Sequence, residues 1–148
     1  MSIVLDTNVL VYLLRNKEPQ VTFIKSLLQN EEELLISIVT KAELLSIAIQ
    51  NNWAEKKLSD LEKLLDKLLV VPVSAMDIVK RYAEIDAFSQ GKLAGHPMPS
   101  KYTSRNMGKN DLWIAATASI TGSQLITSDA DFDHLSDGGF ITRLMRFK

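Results

Sequence analysis

The chain has 148 residues, 46% of them hydrophobic and 24% charged, which suits one globular domain with a real core and excludes disordered and fibrous classes. Lys and Arg number 17 against 18 Asp and Glu, a net charge of -1, so a uniformly basic coat for nucleic acid is excluded while a local site is not. Cysteine is absent and only His96 and His134 carry imidazole, which removes disulfides, thiolate zinc sites and cysteine nucleophiles and leaves little for a histidine triad.

The opening Met1-Ser2-Ile3-Val4-Leu5-Asp6 lacks the basic n-region of a signal peptide, and no apolar run approaches the ~20 residues that span a bilayer. A soluble, cytoplasmic protein without a membrane partner is expected. Ile3-Val4-Leu5 reads as a buried strand that gives way at Asp6-Thr7-Asn8 to a helix through Leu14. Pro19 opens a second helix carrying Val21, Phe23, Ile24 and Leu27. Glu33 to Val39 reads as a strand closed by Thr40, and a helix follows through Ala42, Leu45 and Ile49. Leucines at three- and four-residue steps from Leu58 to Leu68 predict a further helix over 54–69.

Val70 to Val73 is a short strand in which Pro72 marks an edge or an end. Ser74 is placed to cap a helix carrying Ile78, Tyr82, Ile85 and Phe88. Residues 91–108 lose periodicity, as a functional or mobile loop does. A helix resumes at Asp111 and stops at Gly122, Leu125 to Ser128 is a strand, and Ile141 to Met145 reads as a last one. Strands joined by long helical crossovers predict an α/β fold: a short, mainly parallel sheet flanked by helices on both faces, in a single domain over 1–148.

Ligands of open parallel sheets bind beyond the carboxyl ends of the strands. Asp6 lies just past the first strand, Glu43 early in the helix after the second, and Asp129 and Asp131 past the strand that ends at Ser128, while Asp111 opens the helix before that strand. Clustered carboxylates repel, and a divalent cation removes the penalty. Oxygen-only ligands suit Mg²⁺ or Mn²⁺, whose natural chemistry in such a pocket is phosphodiester hydrolysis. Each acid also has a structural reading. Thr40-Lys41-Ala42-Glu43 matches a capping box, Asp6 an N-cap, Asp111 a helix-dipole partner, and Asp129 and Asp131 turn formers.

Four segments taken together resemble the PIN-domain ribonucleases, and within them the VapC-type toxins of bacterial and archaeal toxin–antitoxin pairs. They are Val4-Leu5-Asp6-Thr7-Asn8-Val9-Leu10, Ser37-Ile38-Val39-Thr40-Lys41-Ala42-Glu43-Leu44, Asn110-Asp111-Leu112-Trp113-Ile114-Ala115-Ala116-Thr117-Ala118 and Leu125-Ile126-Thr127-Ser128-Asp129-Ala130-Asp131-Phe132. The resemblance implies a PIN-like sandwich around a parallel sheet and an Mg²⁺- or Mn²⁺-dependent endoribonuclease in which metal-activated water cleaves RNA. It implies that Asp6, Glu43, Asp111 and Asp129 are the metal ligands and catalytic acids, with Asp131 auxiliary. It places Thr127 where a hydroxyl supports the site and Asn8 where an amide steadies the first aspartate. It further implies a VapB-type antitoxin as partner and a homodimer. A non-catalytic PIN-fold RNA-binding or interaction module, a DNA-cleaving relative and a receiver-like signalling domain are the competing readings.

The loop is the main departure from the shortest family members. From Ala87 to Asn110 there is no Asp or Glu, while Lys92, Lys101, Arg105 and Lys109 are basic and His96 and Tyr102 are interleaved. Such a segment is expected to hold an RNA backbone and stack a base, against the alternatives of a merely solvated loop or a partner-docking one.

Overall fold

The computed structural model describes residues 1–30 and 32–147. Five parallel strands lie in the order β3-β2-β1-β4-β5: β1 Ser2–Leu5, β2 Glu33–Ser37, β3 Leu69–Val71, β4 Gln124–Thr127 and β5 Leu144–Arg146. The crossovers are α1 Thr7–Leu14 with α2 Gln20–Gln29, α3 Ile38–Gln50 with α4 Glu55–Asp66, α5 Met76–Ser89 with α6 Lys109–Thr121, and the short α7 Asp133–Asp137. No helix among the described residues is long and apolar enough to cross a membrane.

The strands read as continuous apolar runs because both faces are buried. Successive side chains alternate between two cores. Val4, Leu35 and Leu125 join Ile85, Phe88, Ile114 and Phe132 on the α5–α6 side. Ile3, Leu5, Leu34, Ile36 and Ile126 join Leu10, Ile24, Leu44 and Leu61 on the α1–α4 side. Register pairs Leu5 with Ile126, so the residues that follow them, Asp6 and Thr127, emerge side by side.

Several element boundaries differ from those expected. The second strand ends at Ser37, whose side chain accepts the Val39 N–H and caps α3, so Thr40 lies inside the helix. Ala75, not Ser74, occupies the N-cap of α5 and offers no side-chain bond. Gly108 takes that position in α6, placing Asp111 third in the helix rather than at its start. Pro72, with no N–H for the ladder, ends β3 at Val71. Gly122 ends α6 as expected, in the left-handed conformation at φ +63°.

The loop between α5 and α6 is pinned rather than loose. His96 donates from Nε2 to the Gly138 carbonyl at 2.7 Å, and its ring stacks on Phe140 and meets the edge of Phe88. Met107 is buried, and Leu93 and Met98 pack on the same core. Buried Ser89 and His134 share a 2.7 Å hydrogen bond that ties α5 to α7. The Tyr102 hydroxyl donates to Asp137 at 2.7 Å. The expected stacking rings therefore hold the loop down. Gly138 is the tightest point, since a Cβ there would run into the Phe88 ring and stand 3.1 Å from the His134 carbonyl. Gly138→Ala is expected to destabilise the fold by about 1–3 kcal/mol through overpacking, read as a lower urea midpoint at unchanged m.

Candidate active site

Each acid reaches the carboxyl edge of the sheet for a local reason. Asp6 leaves β1, caps α1 and is 3% exposed. Its Oδ1 accepts the Thr7 N–H at 2.7 Å and its Oδ2 the Thr127 hydroxyl at 2.6 Å. Burial pushes its carboxyl above the ordinary range against those two bonds, and the charges of Glu43 and Asp129 add to the rise. The cap reading of Asp6 and the site reading hold at once.

Glu43 stands in the second turn of α3, half-buried. Because Ser37 caps that helix, the capping-box reading of Thr40 and Glu43 is overturned. Glu43 instead accepts the Thr7 hydroxyl at 2.7 Å, and the Thr40 hydroxyl lies 3.2 Å from that of Thr7. Thr7 and Thr40 are supporting residues that the sequence reading missed. For Thr7 the signal was its place directly after Asp6, at the first position of a helix whose cap faces the pocket.

Asp129 and Asp131 are both turn formers and neighbours in the site. Asp129 Oδ1 accepts the Asp131 N–H at 2.9 Å, opening a single 3₁₀ turn over Ala130–Phe132, and Thr127 Oγ1 accepts the Asp129 N–H at 3.0 Å. Asp111, Asp129 and Asp131 each offer a carboxylate oxygen within 4.8 Å of the others. The Asp111 carboxyl is pushed up to about 7, first by burial and then by the charges of Asp6, Asp129, Glu43 and Asp131. One carboxylate thus feels all four others.

The donors are hard oxygens with no thiolate or imidazole among them, and their charge exceeds what Arg105, 3.9 Å from Asp131, offsets, so the set fits a hard divalent cation. A concavity of about 470 Å³ opens on Asp111, lined by Glu43, Gly108, Lys109 and Asn110. A larger one, about 580 Å³, lies elsewhere against Leu13, Leu14 and Leu64 with Asp60 as its lone acid. That lining offers no cluster of oxygen ligands, so of the two the smaller one suits a hard cation.

A family model described as PIN domain matches residues 3–138. The chain belongs to the PIN-domain family. It is 29% identical over 138 residues to the Ribonuclease VapC1 of Haemophilus influenzae, covering 93% of this chain and 94% of that one. Among solved structures it is similar to VapBC-1 from nontypeable Haemophilus influenzae, at 26% identity and TM-score 0.72 over 99% and 98% of the two chains. Its fold also matches VapBC2 from Rickettsia felis bound to a promoter DNA fragment, at 22% identity and TM-score 0.73 over the full length of both.

Around the acids of this PIN fold, the remaining residues singled out in the sequence are placed unequally. Thr127 is fully buried and bridges Asp6 to the Asp129 backbone. Asn8 is exposed, and among the described residues it makes no hydrogen bond to Asp6; Thr7 and Thr127 hold that carboxylate instead. Lys109 reaches the mouth of the pocket. Lys92 and Arg105 line a separate concavity, whereas Lys101 is bonded to Asp137 at 2.6 Å.

The excess of like charge makes metal-free stability depend on pH. An unfolded Asp ionises near pH 4, whereas folded Asp111 keeps its proton to about pH 7. The folded state therefore binds more protons between those values, and the metal-free protein loses stability as pH rises through that window. In EDTA, Asp111→Asn is expected to melt above the unsubstituted protein at pH 8, with the difference vanishing toward pH 4 in thermal scans. Thr127→Val keeps the volume but strands Asp6 Oδ2 and the Asp129 N–H. It is expected to cost about 1–3 kcal/mol of stability and to weaken divalent-metal affinity roughly 10–100-fold, as measured by titration calorimetry.

Proposed function

We propose that the chain is an Mg²⁺- or Mn²⁺-dependent endoribonuclease, the toxin of a type II toxin–antitoxin pair. The observation that carries this reading is geometric: Asp111, Asp129 and Asp131 bring carboxylate oxygens within 4.8 Å of one another. With Asp6 and Glu43, four segments of the chain deliver five acids whose charge and burial raise Asp111 to about 7. A pocket that holds this much like charge has a use for it in binding a cation, and a non-catalytic module has none.

Asp6, Glu43, Asp111 and Asp129 are the ligands in this reading, with Asp131 auxiliary. A metal bound among them would supply Lewis acidity to the scissile phosphate and lower the pKa of the attacking water. The protein's part is orientation. Thr127 and the Thr7 N–H fix both oxygens of Asp6, and the Thr7 hydroxyl fixes Glu43. Lys109 at the mouth draws the phosphate toward a pocket that Glu43 and Asp111 make acidic. The name of the Haemophilus relative, a ribonuclease, supports RNA as the substrate.

The same relatives support the partners. A VapB-type antitoxin fits the larger groove between α1, α2 and α4, where Leu13, Leu14 and Leu64 lie beside Lys25, Lys56 and Lys63. A second copy of the chain fits the outer stripe of α3, where Ile38, Leu45 and Ile49 stand exposed at seven- and four-residue steps.

The deciding experiment is cleavage of a mixed RNA pool and of single-stranded DNA with Mg²⁺ or Mn²⁺, against EDTA and against Asp111→Asn. RNA is expected to be cut only with metal, and Asp111→Asn to lower the rate about 10²–10³-fold by removing a ligand whose metal contributes several kcal/mol. Equal cutting by Asp111→Asn overturns the ligand assignment, and cutting of DNA alone overturns the substrate.

A further inference from the structure

Beside the acid pocket lies a second concavity of opposite character. It measures about 220 Å³ and is lined by Gln90, Lys92, Ser104, Arg105 and Asn106. These are two cations, two amides and a hydroxyl, with no carboxylate among them. We propose that it is a seat for a backbone phosphate of the RNA, one that holds the strand beside the scissile position. This rests on the nuclease reading and names how that site takes its substrate.

The seat is built before any ligand arrives. The Arg105 N–H donates to the Ser89 carbonyl at 2.8 Å, and its Nε donates to the Thr103 carbonyl at 3.3 Å. The guanidinium is thereby fixed with Nη1 3.9 Å from Asp131 Oδ1, which joins the seat to the acids. A guanidinium held in this way binds phosphate with little further loss of freedom. Lys92 donates to Gln90 Oε1 at 3.1 Å, and among the described residues it has no carboxylate partner. Its charge is free for an anion.

Gly91 stands between two of the lining residues, Gln90 and Lys92. Its φ of +73° is one that side chains rarely adopt, and a Cβ there would stand 2.8 Å from Ser104 Oγ. Glycine is what allows the 90–92 turn and the Ser104 hydroxyl to share one hollow. Lys101, nine positions along the same loop, takes no part because Asp137 already neutralises it at 2.6 Å. The run of positive charge seen in the sequence is thus divided by the fold into a working pair and a structural ion pair.

The test uses protein carrying Asp111→Asn without divalent metal, which together keep the probe intact, and an unstructured uridine 12-mer as that probe. Binding is measured across a salt series. Each phosphate neutralised on a single strand contributes about 0.7 to the slope of log K against log salt. Adding Lys92→Gln and Arg105→Gln together is expected to flatten the slope by about 0.7, the share of one phosphate, while adding Lys101→Ala leaves it unchanged. If Arg105→Gln lowers the melting temperature, Lys92→Gln alone, on an exposed side chain, is expected to flatten the slope by part of that amount. An unchanged slope in the Lys92 and Arg105 variants overturns the seat, as does a parent that fails to bind the 12-mer at low salt. Failure of the nuclease reading shows elsewhere, as absence of metal-dependent RNA cleavage by the unsubstituted protein, and does not alter these slopes.

Discussion

The repulsion among five carboxylates at one edge of a parallel sheet is the constraint around which this molecule is arranged. A parallel sheet sends the carboxyl ends of all its strands to the same side, so acids placed after β1, β2 and β4 meet there whether or not they stabilise one another. Burial and mutual charge raise Asp111 to about 7, and the site persists because two apolar cores grip the sheet from both faces. The strand ends are held where electrostatics alone would push them apart.

The register between β1 and β4 translates that grip into a defined site. Leu5 opposite Ile126 brings Asp6 level with Thr127, and the Asp6 N–H donates to the Ile126 carbonyl at 3.0 Å. From there one hydroxyl joins two acids, accepting from the Asp129 backbone and donating to Asp6. A slip of one residue would turn every core side chain of β1 to the wrong face and carry Asp6 away from its hydroxyl. Packing and site geometry are therefore set by the same pairing.

Much of this was legible in the residues because the acids double as local signals. Asp6 caps a helix and Asp129 opens a turn, so their surroundings announce strand ends, and strand ends announce the binding edge. The failures have a common form. Thr40-Lys41-Ala42-Glu43 fits a capping box, but Ser37 is the last residue paired with β3 and turns directly into α3, so the true cap lies three residues earlier. Gly108 begins α6 without any side-chain bond, and so leaves no polar mark to read. The pinned loop was illegible for another reason. Its anchors, His96 on Phe140 and Tyr102 on Asp137, join positions more than thirty residues apart, and no local pattern encodes such contacts. Thr7 shows the same limit at the site itself, since only the fold brings it to Glu43.

A net charge of -1 describes this protein poorly because its charges are segregated. A polyanion that must reach an acidic pocket gains nothing from an average. It needs cations close enough to outweigh the acids at the point of entry, and charges beyond roughly 10 Å are screened at ordinary ionic strength. Lys109 at the mouth and Arg105 against Asp131 satisfy that condition, whereas Lys101 is neutralised by Asp137. The placement of Arg105 has a further consequence. Its nearest carboxylate is the most exposed acid of the site, so the guanidinium stands at the border between the acid cluster and the phosphate seat, and one side chain faces both.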